Sequence, residues 1–215
     1  MESADASVLG IRDVVLVDGP DALTYLQSQL SQDLADIAVG EQRWSFVLEP
    51  TGKVDSLLRI TRTGDATFEL DTDAGFGEAL LARIDRFKIR VKADTSLSGT
   101  VGEPADEQRR VATGWPRLGV EIVPGETIPA GTGLTAIAVS FTKGCYPGQE
   151  LVERMDSRAA DAPKSLRRLD VHDGAAPGDP VTDGGSEVGV LTSVAGTHAI
   201  GWVKRSSDVG DVIQF

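Results

Sequence analysis

The chain has 215 residues, 40% of them hydrophobic and 25% charged, which suits a globular protein with one large domain or two to three small ones. Its formal net charge of −12 opposes binding to broad nucleic-acid or anionic-membrane surfaces, because like charges repel at long range. The one cysteine, Cys145, excludes an internal disulfide framework, and one chain alone cannot supply four thiolates to an iron–sulfur cluster.

The opening segment predicts a cytoplasmic protein. Residues 1–10 (MESADASVLG) contain two acidic residues and no basic one, and they lack the apolar stretch of a secretory signal. The same acidity argues against a mitochondrial presequence. No apolar run approaches the roughly 18 residues that a membrane-spanning helix needs. We therefore expect no membrane partner and no direct nucleic-acid partner.

The N-terminal half predicts strands that alternate with two helices. Leucines spaced three and four residues apart predict the first helix, and a similar apolar face predicts the second. The predicted helices are residues 18–30 and 75–87. The predicted strands are residues 7–17, 43–48, 54–62, 66–72, 88–93 and 97–102.

The C-terminal half predicts a helix followed by a small barrel. Two apolar segments, 117–122 and 134–142, are expected to be extended, and a helix is expected at 149–155. Residues 157–164 resemble a linker. Five short extended segments separated by Gly/Asp turns follow in 165–215, a pattern typical of a small β-barrel.

The densest chemical signal is the octapeptide KGCYPGQE at residues 143–150. A strand is expected to enter a glycine-flanked turn that opens a helix, so that backbone N–H groups and the positive helix end face Cys145. Lys143 adds a second positive charge, and both effects favour the thiolate form. Gly144 and Gly148 allow tight bending and close approach of a ligand.

An inert role for Cys145 is the alternative. A lone cysteine is commonly a small buried apolar residue, and no convincing general base lies near it in the sequence. The histidines, His172 and His198, both lie in the C-terminal strands, so a Cys–His catalytic pair has little support.

These motifs resemble the YgfZ family of tetrahydrofolate-binding proteins, which is related to the glycine cleavage T-protein. KGCYPGQE resembles the signature of that family. The segments GPDALTYLQSQLSQDL, LEPTGKVDSLL, RRVATGWPRLGVEIVPGETIPAG and SEVGVLTSVAGTHAIGWVKR resemble its first helix, its channel turn, the stretch before the signature and the C-terminal barrel. The resemblance covers nearly the whole chain.

The resemblance implies an α+β fold in which small domains form a T-protein-like ring around a central folate channel, with a C-terminal β-barrel. Its domains would be residues 1–45 with 108–157, an inserted middle domain at 46–107, and the barrel at 165–215. It also implies that the protein supports iron–sulfur cluster assembly or repair, with iron–sulfur client proteins as partners, and tRNA thiomethylation by a radical enzyme.

Whether the chain is itself an enzyme is left open by the sequence. The T-protein transfers an aminomethyl group with an acidic turn, and the similar turn here keeps Asp55 but has Ser56 in place of a second acid. This reduction favours an accessory folate-binding protein over a one-carbon transferase using Asp55. An adaptor that has lost folate is a third possibility. Lys53 is expected either to pair with Asp55 or to project into solvent.

Tetrahydrofolate or a derivative is the cofactor that the resemblance implies. Its pterin needs hydrogen-bond partners and a flat apolar slot, and its glutamate tail favours cations. Glu121 or Glu126 would contact the pterin edge, and Arg110 would contact an anionic or carbonyl group. Stacking is expected from Tyr146 or Trp115. Gly148 and Gln149 complete the predicted cofactor site, and Cys145, Lys143 and Asp55 are the predicted catalytic residues.

Overall fold

The computed structural model describes residues 6–157 and 162–215, which form two antiparallel five-stranded sheets with short helices. The strands are β1 Arg12–Asp18, β2 Gln42–Leu48, β3 Val54–Arg62, β4 Thr67–Asp73, β5 Asp94–Val101, β6 Lys164–Asp170, β7 Pro180–Asp183, β8 Ser186–Ala195, β9 His198–Lys204 and β10 Asp211–Val212. The helices are α1 Ala6–Leu9, α2 Ala22–Gln29, α3 Gly77–Arg86, α4 Glu107–Thr113, α5 Thr135–Ala138 and α6 Gln149–Ser157, with a 3₁₀ turn at Pro129–Gly131. Half of the predicted linker, residues 158–161, and the first five residues of the opening segment lie outside the described residues.

The first sheet has the strand order β2-β3-β4-β1-β5; its strands β2 and β3 are buried on both faces, and its edge strand β5 is largely exposed. Side chains alternate between the faces of a strand, so neighbouring residues of β2 enter different cores. Val47 joins the core under α2 and α3, whereas Phe46 and Leu48 join a second core with residues 115–152. Because both faces are covered, consecutive residues of these strands are buried, as at 44–48 of β2 and 56–58 of β3.

Several strands predicted between residues 7 and 142 are wrong in whole or in part. The first strand begins only at Arg12, because Gly10 in a left-handed conformation separates it from α1. Residues 88–93 do not form a strand; Arg90 has a φ of 59°, a conformation that breaks extended backbone. Residues 134–142 contain α5 instead of a strand, since Leu134 and Ala138 occupy one buried face at helical spacing.

The segment 117–122 is also not extended as predicted. It is a turn in which the backbone N–H groups of residues 120–122 all donate to the carbonyl of Arg117. The turn is held against the first sheet because Leu118 N–H donates to the buried carboxylate of Asp73 at 2.8 Å. Apolarity alone therefore did not distinguish this buried turn from a strand.

The second sheet confirms the five predicted C-terminal strands but is open. Its order is β10-β6-β9-β8-β7, with every neighbouring pair antiparallel. β10 and β7 are its two edges and do not pair with each other, so the predicted closed barrel is not confirmed. Helix α4 packs on this sheet through Val111, which shares a small core with Leu166, Ile200 and Ile213.

The first sheet joins segments that the sequence assigned to different domains. β1 belongs to the predicted first domain, and β3, β4 and β5 belong to the predicted inserted domain. The proposed boundary at residue 45 falls inside β2. The division into domains itself stays a prediction.

None of the helices in the described part of the chain combines the length and apolarity that crossing a bilayer requires.

Candidate functional site

The loop 143–150, called the signature loop below, is tied to the end of α2 by Lys143. The Nζ of Lys143 donates to the carbonyl oxygens of Gln27, Leu30 and Gln32 at 2.7, 2.6 and 2.9 Å. These carbonyls lie in and just after the last turn of α2, where helix geometry leaves acceptors without partners. Burial lowers the pKa of Lys143 to about 8. Its three N–H groups are thus used structurally and leave none for the Cys145 thiolate.

The other end of the signature loop packs on the turn between β2 and β3, residues 49–53. Gly148 and Gly52 both have φ near +80° and approach each other closely. A Cβ on Gly148 would overlap the Glu49 carbonyl oxygen and lie 2.9 Å from the Leu48 Cβ. A Cβ on Gly52 would overlap Leu151. Only glycine permits this contact, so the structure brings together two segments that the sequence had singled out separately.

Cys145 is exposed between these two anchors. The residue after it, Tyr146, is buried in the second core, and burial raises the pKa of its hydroxyl to about 12. Helix α6 begins at Gln149, four residues after Cys145. The segment before the signature loop, residues 134–142, contains α5 and is not the predicted strand. Because the Cys145 side chain is exposed, the alternative of a buried thiol is excluded.

Asp55 lies on β3 beside an arginine that the sequence analysis did not identify. Its Oδ2 is 3.9 Å from the Nε of Arg83, and no contact joins it to Lys53 among the described ion pairs. Burial raises the pKa of Asp55; Arg83 opposes that shift, and Glu49 adds to it. Arg83 also donates to the Leu48 carbonyl at 2.9 Å. The Asp55 carboxylate thus keeps partial exposure next to a fixed guanidinium.

Arg110 and Glu121 belong to a different, closed cluster. Arg110 donates to the Glu107 carboxylate, to the Trp115 carbonyl at 2.8 Å, to Glu121 Oε2 at 3.2 Å and to Ser193 Oγ at 2.6 Å. Ser193 in turn donates to Glu121 Oε1 at 2.6 Å. Glu121 is fully buried, and Arg110 is 1% exposed. The cluster joins α4 to β8, and in this conformation neither Arg110 nor Glu121 offers an open atom to a pterin or a glutamate tail.

The remaining predicted cofactor residues have mixed positions. Trp115 is buried and packs against Trp44 and Phe215, with ring centroids 4.7 and 5.0 Å away, so it is a core residue. Glu126 is exposed. Gln149 accepts from the Tyr146 N–H at 3.3 Å and donates to Glu153 at 2.5 Å, contacts that shape the start of α6.

Sequence reasoning missed Arg83, Glu107 and Ser193. The spacing of α3 contained a signal for the first: Arg83 follows Leu80 by three residues, on the face predicted to be apolar. An arginine at such a position is buried and needs a partner. Glu107 lies three residues before Arg110 on α4, a spacing at which opposite charges on a helix can pair. Ser193 carried no comparable signal, because it is 83 residues away from Arg110 in the sequence.

The chain is similar in sequence to several bacterial proteins. An uncharacterised Haemophilus influenzae protein is 27% identical over 69% of this chain and 67% of its own length. The tRNA-modifying proteins YgfZ of Edwardsiella ictaluri and Cronobacter sakazakii are 25% and 23% identical, over 67% and 75% of this chain and 65% and 69% of their own lengths. The chain thus matches about two thirds of these relatives. No protein-family model matches it.

A solved structure shows the same fold at low sequence identity. The crystal structure of glycine cleavage system aminomethyltransferase T from Bartonella henselae superposes with a TM-score of 0.79 and 16% identity, covering 93% of this chain and 80% of that one. At this identity the likeness concerns the fold alone. Taken with the YgfZ relatives, it shows that this chain has a YgfZ-type, T-protein-like fold.

Proposed function

We propose that the protein binds tetrahydrofolate or a derivative and acts as an accessory protein in iron–sulfur cluster assembly or repair, supporting tRNA thiomethylation by a radical enzyme. In this proposal the described units belong to a ring around a central folate channel, and the second sheet corresponds to the C-terminal barrel. Two sequence relatives named as tRNA-modifying proteins support the part of the proposal that concerns tRNA modification.

The observation that carries the proposal is the way the signature loop presents Cys145. Lys143 fixes one side of the loop through three hydrogen bonds, and Gly148 fixes the other side by close packing. Cys145 is exposed between them. The described histidines, His172 and His198, belong to the second sheet and its flanking turn. An exposed thiol on an anchored loop, without a histidine base, suits contact with a client protein better than Cys–His hydrolytic catalysis.

In this proposal the surface around Asp55 receives the pterin of the folate. Asp55 supplies an acceptor for pterin N–H groups, and Arg83 and Arg86 supply positive charge beside it. Phe87 is 37% exposed, and the guanidinium groups of Arg83 and Arg86 lie 4.6 and 5.6 Å from its ring centroid, so a ligand would meet the remaining exposed part of the ring. Asp55 would accept hydrogen bonds from the pterin and orient the ring, with the positive charge of Arg83 beside it.

Thermal unfolding with tetrahydrofolate tests the binding. Ligand at 100 times its dissociation constant adds about 2.7 kcal/mol to the free energy of unfolding. For a chain of this size, that raises the melting temperature by roughly 5–11 °C. We expect Asp55→Asn to bind at least tenfold more weakly, and the exposed control Asp65→Asn to bind normally. Absence of any shift at saturating ligand would favour an adaptor that has lost folate.

Complementation tests the role of the thiol. In a deletion strain, the wild-type gene should restore iron–sulfur enzyme activities and tRNA thiomethylation, whereas Cys145→Ala should not. Gly144→Ala is a matched control in the same loop, because a Cβ at Gly144 meets no atom within 4 Å. Full rescue by Cys145→Ala would refute the proposed role of the thiol.

A folate-dependent one-carbon transferase is the second candidate. The observation that favours it is the raised pKa of Asp55, caused mainly by burial, since a general acid or base works best near the operating pH. The transferase predicts turnover of a methyl or aminomethyl donor that is lost in Asp55→Asn and kept in Cys145→Ala. The accessory role predicts no such turnover in either protein.

A further inference from the structure

Four arginines are buried in the described part of the chain: Arg12, Arg83, Arg110 and Arg167. Arg12 contacts Asp71 and Asp73 at 2.8 and 2.5 Å. Arg110 contacts Glu107 and Glu121, and Arg83 lies 3.9 Å from Asp55. Arg167 differs, because no ion pair joins it to a carboxylate of the described residues. A guanidinium remains charged in proteins, and a buried charge is costly unless it is paired.

The contacts of Arg167 leave one edge of its guanidinium without a protein partner. Arg167 lies on β6 and is 6% exposed. Its Nη1 donates to the carbonyls of Val209 and Gly210, both at 3.2 Å. Its Nε is buried and has no hydrogen-bond partner. The Nε–H and one Nη2–H point along the same edge, which is the pair of donors that grips a carboxylate or phosphate with two parallel bonds.

A cleft adjoins this arginine. Its volume is about 580 Å³, within the range of small-molecule sites. The cleft lies between the segment 130–136 and the β6–β10 side of the second sheet. Its polar lining comes from Ser165, Arg167, Arg205, Gln214 and Thr135, and its other side chains are apolar. Of the described side chains that line the cleft, none is Asp or Glu, although the whole chain has 33 acidic residues.

We infer that this cleft is a binding site for a small oxyanion, a carboxylate or phosphate group, that pairs with the Nε–Nη2 edge of Arg167. The anion supplies the counter-charge that the other three buried arginines obtain from the protein. Because the Nε atom is shielded from solvent, entry requires a rotation of the flexible Arg167 side chain. Neither Asp55 nor Cys145 lines the cleft, so the inference is independent of the proposed folate site.

The test is a titration of the full chain, at constant ionic strength set with sodium chloride, with inorganic phosphate and separately with glutarate. The readout is the ¹⁵N-edited NMR signal of the arginine Nε–H groups, with thermal unfolding alongside. We expect a saturable shift of the Arg167 signal with at least one probe, and the tighter probe identifies the ligand as phosphate or carboxylate. No saturable shift with either probe overturns the inference.

Three variants separate the cleft from general charge effects. Ala136→Trp fills the exposed α5 side of the cleft and leaves Arg167 in place, and Arg167→Lys keeps the charge but removes the paired donors. Both should bind at least tenfold more weakly. Arg168→Gln removes a neighbouring exposed charge and should bind like the wild type. Unchanged binding in Ala136→Trp, or equal weakening in Arg168→Gln, would contradict a site in this cleft.

Discussion

Substituting Gly148 by alanine should detach the signature loop from the turn between β2 and β3. Gly148 has a φ of 80°, a backbone conformation that costs other residues about 1–2 kcal/mol. The added Cβ would also overlap the Glu49 carbonyl oxygen and lie 3.0 Å from the Gly52 Cα. Both neighbours are backbone atoms, which cannot move aside as a flexible side chain does.

The expected loss of stability follows from these two contributions. Overpacking of a well-filled site costs about 1–3 kcal/mol, so Gly148→Ala should lower the free energy of unfolding by about 2–5 kcal/mol. For a protein of this length, the melting temperature falls by at least roughly 4 °C. Urea unfolding measures the free energy, and the alkylation rate of the exposed Cys145 thiol reports on the loop itself.

Gly144→Ala provides the matched control within the same loop. Gly144 does not have a positive φ, and its added Cβ meets no atom within 4 Å. Alanine there should leave stability unchanged or raise it by about 0.4–1 kcal/mol, because it restricts the unfolded chain. Equal stabilities of the two variants would show that the loop does not depend on its contact with the turn, and the reasoning would be wrong.

Further predictions concern the buried charges. Lys143→Met removes three charge-assisted hydrogen bonds and should cost about 2–4 kcal/mol in urea unfolding, whereas the exposed control Lys92→Met should change stability by less than about 0.5 kcal/mol. Burial lowers the pKa of Lys143 from 10.5 to about 8, so between pH 8 and 10.5 the unfolded chain binds more protons than the folded one. The free energy of unfolding of the wild type should therefore rise with pH over this range relative to that of Lys143→Met. Parallel pH profiles of the two proteins would contradict this prediction. Glu121→Gln weakens the buried pair with Arg110 and should cost about 3 kcal/mol, a loss that the exposed control Glu126→Gln should not show.

Local sequence patterns determined most elements of the fold. The spacing of Leu80 and Ile84 predicts α3, and the Gly/Asp turns after residue 170 predict the strands of the second sheet. These elements are readable because their periodicity reflects one buried face. The wrong predictions fall at 88–93, 117–122 and 134–142, where short apolar segments lack a period long enough to distinguish a strand from a buried turn.

The sequence by itself also located the signature loop and the turn with Asp55, because their glycines, and the cysteine of the loop, can be recognised without knowledge of the fold. Only the tertiary structure decided what each side chain does. Lys143 bonds to carbonyls 111–116 residues away, and Arg110 meets Ser193 at a separation of 83 residues. A charged side chain takes its role from the partner that compensates its burial, and the partners here come from distant segments that only folding brings into contact.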